Sequence, residues 1–197
     1  MSFVGKQFPD IQIKGINFSG EEITLNLSTP GMKKLLFWYP KDFSFVCPTE
    51  LHAFQEKLEE FAKRGVHVYG ISCDTLEVHM AWLDTPKDQG GIQGVTYPIL
   101  SDSRRELSKE LKILDYETEF SWDDDVNDQA KKVIHDGDNV TYRATYLIDE
   151  TGRVFHESIN DMPLGRNIDE FLRIIDAKLY VEEKGEGCPA NWENGKK

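Results

Sequence analysis

The sequence predicts a single α/β domain in which a central mixed β-sheet is flanked by helices. Short, aromatic-rich apolar runs alternate with longer segments whose apolar residues recur at helical spacing. The clearest example is a strand, helix, strand unit formed by residues 33–39, 49–65 and 66–72. Such a unit normally pairs its strands in parallel, with a right-handed crossover. At 197 residues with 39% hydrophobic content, the chain can build one well-packed core and does not require two.

Each element of this unit has its own signal. Residues 33–39 read KKLLFWY, and Pro40 ends the strand because proline has no backbone N–H to donate. Apolar residues in 49–65 fall on one side of a helix, and Gly65 supplies the stop. Residues 66–72, VHVYGIS, then form the second strand.

The same alternation continues beyond residue 72. We expect a short helix at residues 76–83, a strand at 97–100 and a helix at 103–111. Ser103 is the expected N-cap of the last of these, because Glu106 follows at capping-box spacing.

The carboxyl-terminal half predicts a hairpin and a final helix. Residues 145–149 and 154–159 flank a turn signal at residues 150–153, which indicates an antiparallel hairpin. Asn167 is the expected start of the last helix, with Glu170 in the capping position.

Two segments depart from this order. Residues 115–138 contain nine acidic and two basic residues, which favours a solvated surface loop, with a metal or partner site as the alternative. We treat about 115–139 as an acidic insertion in a domain formed by residues 1–180. Residues 181–197 are polar and contain glycines, so we expect a mobile C-terminal arm, which carries Cys188.

Composition excludes several classes of partner. The net charge of −12 would repel nucleic-acid phosphates and anionic lipid, so we expect neither nucleic acid nor membrane as a partner. No apolar run has the length of a membrane span, and the amino terminus lacks a secretory signal. We therefore expect a soluble, cytoplasmic protein. The five histidines show no metal-ligand spacing, and no dinucleotide fingerprint is present, so we expect no cofactor.

Cys47 lies between the first predicted strand and the helix that follows it. If Cys47 is the N-cap, Pro48 takes the favoured first helical position; if Ser44 is the N-cap, Cys47 is the third helical residue. Both alternatives place the sulfur in the first turn, where free N–H groups and the helix dipole favour thiolate over thiol. A cysteine is most often a small buried apolar residue, but this position predicts a pKa below about 8.5 and a reactive thiol.

The remaining cysteines limit what Cys47 can do. Glu50 stands where a CxxC oxidoreductase has its second cysteine, so a local disulfide is impossible. A thiol that reacts with oxidised Cys47 must therefore come from Cys73, Cys188 or another molecule. Cys73 follows a buried strand and is expected to be a packing residue.

Several sequence blocks carry a family resemblance. PKDFSFVCPTE, ISCDTLEVHMAW, RATYLIDETG and GEGCPANW resemble the peroxiredoxins, in their typical two-cysteine group that includes alkyl hydroperoxide reductase and the thiol-specific antioxidant proteins. The resemblance extends almost from end to end. It implies a thioredoxin-like fold and a thiol peroxidase that reduces hydrogen peroxide and organic hydroperoxides, in antioxidant defence and redox homeostasis.

The resemblance also implies roles for individual residues. Cys47 would be the peroxidatic cysteine, which attacks the hydroperoxide and becomes a sulfenic acid. The family's other site positions are matched by Pro40, Ser44 and Arg143, and its supporting positions by Glu50 and Arg166. Arg143 would stabilise the thiolate and the departing oxygen, since a guanidinium is a permanently charged fork. The alternatives are that the two arginines and Glu50 are ordinary charged residues and that Ser44 only caps the helix.

Cys188 matches the family's resolving cysteine. The resemblance implies a homodimer, able to assemble into a decameric ring, in which Cys188 of one protomer forms a disulfide with Cys47 of the other. Thioredoxin or a flavoprotein disulfide reductase would reduce this disulfide. Two other functions stay open on the sequence alone: a one-cysteine peroxidase in which Cys188 is idle, and a holdase-type chaperone.

Overall fold

A seven-stranded mixed sheet lies at the centre of the computed structural model, which describes residues 2–115, 117–122, 131–136 and 139–194. The strands are β1 (Gln12–Ile16), β2 (Glu22–Asn26), β3 (Lys33–Trp38), β4 (Val66–Ser72), β5 (Ile99–Ser101), β6 (Glu117–Trp122), β7 (Lys131–Asp136), β8 (Arg143–Ile148) and β9 (Val154–Asn160). The helices are α1 (Cys47–Glu56), α2 (Leu58–Lys63), α3 (Leu76–Asp84), α4 (Glu106–Glu110) and α5 (Ile168–Lys184), with a short 3-10 turn at Lys87–Gln89.

The strand order confirms the predicted mixed sheet. The sequence of neighbours is β2-β1-β5-β4-β3-β8-β9. The three strands β3, β4 and β5 run parallel, as the strand, helix, strand unit predicts, and the other neighbours pair antiparallel. The predicted hairpin is also confirmed, since β8 and β9 pair antiparallel. Strands β1 and β2, for which we made no prediction, form one edge of the sheet.

Strand β3 is buried on both faces and separates two hydrophobic clusters. Leu35 and Phe37 contribute to one cluster, together with residues of α1, α2 and α5, whereas Leu36 and Trp38 contribute to the other. Because successive side chains of a strand point to opposite faces, one continuous apolar run supplies both. The end of this rigid central strand carries the loop that leads to Cys47.

The pairing of β3 with β8 brings a distant part of the chain to the same place. Phe37 pairs with Thr145, so the first residue of β8, Arg143, lies beside the end of β3. The hydroxyl of Thr141 donates to the carbonyl oxygen of Tyr39 at 3.1 Å and reinforces this junction. Antiparallel pairing thus sets the start of one strand against the end of the other.

The helix predicted for residues 49–65 is two helices. It begins at Cys47, two residues earlier than expected, and is interrupted at Lys57, whose φ of −103° and ψ of 3° lie outside the α-helical range. The apolar periodicity continues across the interruption and therefore did not reveal it.

Ser103 is not the N-cap of α4, which begins at Glu106. The N-cap is Arg105, with a left-handed φ of 58°. The buried carboxylate of Asp102 accepts hydrogen bonds from the backbone N–H groups of Leu107 and Ser108. A carboxylate that approaches from outside the helix satisfies the free N–H groups that a capping serine would otherwise serve.

Helix α5 begins as predicted but extends further. The side chain of Asn167 accepts a hydrogen bond from the backbone N–H of Asp169, which confirms the N-cap. Glu170 is not part of a capping box, because its carboxylate accepts from Arg173 at 2.7 and 2.8 Å. The helix continues to Lys184, so the arm begins at residue 185 rather than 181.

The acidic insertion is not simply a loop, since its backbone forms the antiparallel pair β6 and β7. The many acidic residues of this segment favoured a loop prediction, although β-branched and aromatic residues such as Thr118, Phe120 and Val133 favour strands. The acidic run 123–125, the centre of the alternative metal site, lies outside the described residues. Within the described part of the chain, no helix is long and apolar enough to cross a membrane.

Candidate active site

Cys47 is the first residue of α1 and is fully buried. The N-cap is Val46, which makes no side-chain capping bond, and Pro48 occupies the second helical position. Both alternatives for the cap, Cys47 and Ser44, are therefore wrong by one to two residues. The sulfur nevertheless lies in the first turn, as both alternatives required, next to backbone N–H groups that have no partner within the helix.

Arg143 reaches Cys47 from the start of β8. Its Nη1 donates to Cys47 Sγ at 3.4 Å, and its Nε donates to the carbonyl oxygen of Met162 at 2.6 Å. The side chain is almost completely buried, with 4% exposure. The guanidinium is therefore fixed from two sides, with one edge directed at the sulfur.

Glu50 is the second group that holds Arg143. It follows Cys47 by three residues on α1, and its Oε2 accepts from Arg143 Nη1 at 2.7 Å. Burial raises the pKa of Glu50, but the guanidinium groups of Arg166 and Arg143 outweigh burial, so the pKa lies below its ordinary value. The carboxylate is thus ionised when the two arginines are paired with it.

Arg166, just before α5, completes the charge network. Its Nε and Nη2 donate to the two carboxylate oxygens of Glu50 at 2.9 and 2.8 Å, and its Nη1 donates to the carbonyl oxygen of Ala144 at 3.0 Å. The guanidinium carbon lies 5.0 Å from the ring centroid of Phe37 and 5.9 Å from that of Phe54. Two positive charges and one carboxylate therefore leave the surroundings of Cys47 positively charged.

Pro40 and Ser44 lie in the loop between β3 and α1. Pro40 is buried and follows the last residue of β3, Trp38, by two positions, where it cannot donate a further ladder hydrogen bond. The hydroxyl oxygen of Ser44 is buried and has no hydrogen-bond partner among the described residues. Ser44 is therefore not the helix cap, and its hydroxyl is free to bind a group that approaches the sulfur.

Cys188 is not brought to Cys47 within the chain. Its sulfur lies 3.6 Å from the carbonyl oxygen of Ala177 on α5, and the thiol is half-buried and free. The arm around it packs on the same helix: the Trp192 ring lies 5.3 Å from that of Tyr180, and Arg173 Nη1 donates to the Trp192 carbonyl oxygen. The site formed by one chain thus contains a single cysteine.

Cys73 is buried beside an acidic residue, as a packing role predicts. Its sulfur lies 3.9 Å from the Ser108 hydroxyl. Burial and the nearby Asp102 carboxylate raise the pKa of the Cys73 thiol to about 11. Among the described residues, no group of three or more potential ligands could hold a metal ion.

Sequence reasoning missed a buried polar group beneath the Cys47 loop. The Asp42 carboxylate accepts from the Tyr39 hydroxyl at 2.8 Å and lies 2.7 Å from His79 Nδ1. The sequence drew attention to His79 only as one of five histidines without metal-ligand spacing. The available signal was Asp42 itself, an acidic residue close to the aromatic residues Tyr39 and Phe43 in the segment that leads to Cys47.

Comparison with known proteins agrees with this geometry. The AhpC/TSA family model matches residues 4–157. Alkyl hydroperoxide reductase C of Helicobacter pylori is 38% identical over 199 residues, covering 98% of this chain and 89% of that protein, and peroxiredoxin-1 of Gekko japonicus is 36% identical over 195 residues, with 98% and 88% covered. The crystal structure of a reduced Plasmodium vivax 2-Cys peroxiredoxin superposes with a TM-score of 0.86 at 35% identity, covering 100% of this chain and 92% of that one.

The chain therefore belongs to the AhpC/TSA family, and its mixed sheet with flanking helices is the thioredoxin-like fold of the peroxiredoxins. Its activity is that of this family: it is a peroxiredoxin, a thiol-dependent peroxidase that reduces hydroperoxides.

Proposed function

We propose that Cys47 is the peroxidatic cysteine and that Arg143, positioned by Glu50 and Arg166, activates it. The 3.4 Å contact between Arg143 Nη1 and Cys47 Sγ carries this proposal, because no other charged side chain of the described residues donates to the sulfur. The Glu50 carboxylate accepts hydrogen bonds from both arginines, so the Arg143 guanidinium is already directed at Cys47 before the reaction begins.

The first chemical step is a nucleophilic displacement. The Cys47 thiolate attacks the terminal oxygen of the hydroperoxide, an S–O bond forms, the O–O bond breaks, and the departing alkoxide or hydroxide takes a proton to become an alcohol or water. Sulfur is oxidised to a sulfenic acid and the peroxide is reduced. Negative charge moves from sulfur to the departing oxygen, where the Arg143 guanidinium stabilises it.

Ser44 and Pro40 have supporting roles in this proposal. The unpartnered Ser44 hydroxyl donates to the bound peroxide and aligns its O–O bond with the sulfur. Pro40, which is buried, stiffens the start of the loop and helps to exclude water from it.

The resolving step requires a second chain. The Cys188 thiolate of one protomer attacks Cys47 Sγ of its partner, an S–S bond forms, and the sulfenic oxygen departs as hydroxide and is protonated to water. Two observations support this pairing. Cys188 packs on α5 and not beside Cys47 of the same chain, and the chain is similar to a 2-Cys peroxiredoxin. We accordingly propose a homodimer, with a decameric ring as the larger assembly; a Plasmodium yoelii relative with a modified N-terminus is an artifactual octamer.

An external dithiol returns the enzyme to its reduced form. We propose thioredoxin or a flavoprotein disulfide reductase in this role, because two successive thiol exchanges reduce the disulfide and need no bound prosthetic group. The 35% identical relative from Echinococcus granulosus is a thioredoxin peroxidase. Thiols that cycle in this way require a reducing compartment, so we also propose a cytoplasmic location.

The decisive experiment separates the two cysteines. After one equivalent of hydrogen peroxide, non-reducing electrophoresis of the unaltered protein should show a band at twice the mass of 22.6 kDa. With Cys188→Ser, that band should vanish and turnover with thioredoxin should cease, while Cys47 is still oxidised once. Cys73→Ser is the matched control and should retain the band. Full turnover by Cys188→Ser would reject the two-cysteine cycle.

A further inference from the structure

Arg143 lies beyond the ladder that joins its strand to the centre of the sheet. The last pair between β3 and β8 is Phe37 with Thr145, two residues short of Arg143. The backbone also turns at this point, because the N–H of Ala144 donates to the carbonyl oxygen of Tyr142 at 3.0 Å. On the side of β3, the strand ladder therefore does not fix the backbone of this arginine.

A short antiparallel stem fixes the residues that precede Arg143. The stem consists of residues 113–115 and 139–142, which are bridged outside the named strands. Three backbone hydrogen bonds of 2.8 to 3.3 Å join its two segments, and the Tyr142 hydroxyl donates to the Asp115 carboxylate at 3.0 Å. The acidic insertion leaves the domain and returns to it at this stem, and the stem leads directly into Arg143.

Thr141 attaches the stem to the central sheet. It is fully buried, and its hydroxyl donates to the carbonyl oxygen of Tyr39 at 3.1 Å. Tyr39 is itself fixed, because its backbone N–H donates to the carbonyl oxygen of Ile71 on β4 at 3.0 Å. The next residue, Pro40, has no N–H with which to continue a ladder. The Thr141 hydroxyl thus supplies a link between the two segments where the strand ladder has ended.

The position of the Arg143 backbone matters because its side chain has a fixed target. The guanidinium lies 3.4 Å from Cys47 Sγ and 2.7 Å from Glu50 Oε2. A misplacement of about 1 Å can lower the rate of an enzymatic step by about 10²-fold. The contacts of the guanidinium fix the outer end of the side chain, and the stem fixes its inner end.

We propose that Thr141 is a positioning residue for Arg143, and that its hydroxyl sets the backbone position from which the guanidinium reaches Cys47. This proposal rests on the proposed function, in which Arg143 activates the sulfur. Thr141 acts through Arg143 and not on the peroxide, because its hydroxyl is already bonded to Tyr39. The alternative is a buried threonine that contributes to stability alone, and the two differ in their effect on the oxidation of Cys47.

The first test compares two substitutions of Thr141. The rate constant of Cys47 with hydrogen peroxide is measured by rapid quench in a Cys188→Ser background. Thr141→Val keeps nearly the same volume and removes the hydroxyl, and we expect it to lower the rate constant about tenfold. Thr141→Ser keeps the hydroxyl and should restore the rate constant to within about threefold of the value for the unaltered protein.

A double-mutant cycle with Arg143→Gln separates positioning from stability. If Thr141 acts through Arg143, Thr141→Val lowers the rate constant no further in the Arg143→Gln background. A role in stability alone predicts an unchanged rate constant, or equal losses in both backgrounds. Thr85→Val is the matched control, since the Thr85 hydroxyl also donates to a backbone carbonyl oxygen, that of Ala81, at 2.7 Å, and it should leave the rate constant unchanged.

A second variant keeps the test decisive if Thr141→Val does not fold. Tyr142→Phe removes the hydroxyl bond to Asp115 within the stem and should lower the rate constant about threefold, again only while Arg143 is present. The inference is overturned if Thr141→Val, or Tyr142→Phe in its place, reacts as fast as the unaltered protein or loses as much without Arg143 as with it. Full reactivity of Arg143→Gln itself overturns the proposed function of Arg143 instead.

Discussion

Cys47 and Cys73 are both buried cysteines, yet their surroundings have opposite electrostatic character. Cys47 is 0% and Cys73 9% exposed. The nearest polar partner of Cys47 is the Arg143 guanidinium, at 3.4 Å, at the start of a helix. Cys73 instead lies 3.9 Å from a neutral serine hydroxyl, with the Asp102 carboxylate close enough to raise its pKa. Burial alone therefore does not distinguish a reactive thiol from an inert one.

The difference arises from the sign of the charge that each sulfur meets. Desolvation disfavours a thiolate in both places, so only an added positive charge or free N–H groups can favour it. Cys47 has both, and Cys73 has a negative charge instead. This comparison yields four predictions.

The largest effect is expected for removal of the sulfur itself. Cys47→Ser should lower kcat/KM for hydrogen peroxide by at least about a thousandfold, because the hydroxyl is a far weaker nucleophile at neutral pH. Cys73→Ser should leave kcat/KM unchanged. A coupled thioredoxin assay measures both, and a loss of activity in Cys73→Ser would contradict the contrast between the two sites.

Removal of the positive charge should have the next largest effect. Arg143→Gln should lower the rate constant for Cys47 oxidation by about 10²- to 10³-fold, because the donor that stabilises developing charge is lost. Arg143→Lys keeps the charge but not the planar fork and should recover only part of the rate. Arg64→Gln, which breaks a pair with Asp176, is the control and should have no effect on this rate constant, measured by stopped flow.

Glu50 links the electrostatics of the site to stability. Glu50→Gln should lower the free energy of unfolding by about 3 kcal/mol at pH 7, since it leaves two buried guanidinium groups without their carboxylate. The pKa of Glu50 is lowered below 4.5 in the folded protein, so this contribution is fully present above pH 4.5 and is lost as the pH falls through the folded pKa. Urea titrations at several pH values should show that the free energies of unfolding of the unaltered protein and of Glu50→Gln converge at acidic pH.

The smallest effect concerns the inert thiol. With a pKa of about 11, Cys73 should react with iodoacetamide very slowly at pH 8, and its rate should rise about tenfold per pH unit up to about pH 11. The measurement uses the Cys47→Ser, Cys188→Ser double variant, so that Cys73 is the only thiol. Rapid alkylation at pH 7 in the folded protein would show that burial beside Asp102 does not protect it.

Local sequence signals predicted most of the fold. Strand β4 has the predicted bounds, and Asn167 caps α5 as its position before an apolar run indicated. Two of the failures arose because a group outside the local pattern took up the backbone hydrogen bonds. Ser103 was displaced as a cap by the buried Asp102 carboxylate, and the strands β6 and β7 depend on pairing between segments that look acidic and irregular alone.

The candidate site was predictable only in part, for the same reason. The family resemblance pointed to Cys47, Arg143, Glu50 and Arg166, and the structure brings these four together. It does not bring Cys188 to them. The contact between Asp42 and His79 could not be inferred, because neither residue carries a spacing signal that refers to the other.

By itself, the amino-acid sequence determined the order of strands and helices apart from β1, β2, β6 and β7, and it determined the location of Cys47 in a first helical turn, because apolar periodicity and proline act over a few residues. Only the tertiary structure decided which charge reaches the sulfur. Arg143 lies 96 residues from Cys47 and arrives there because β8 pairs antiparallel with β3. The attraction between a guanidinium and a thiolate depends on their distance in space, so its effect on a buried thiol depends on sheet topology and not on separation along the chain.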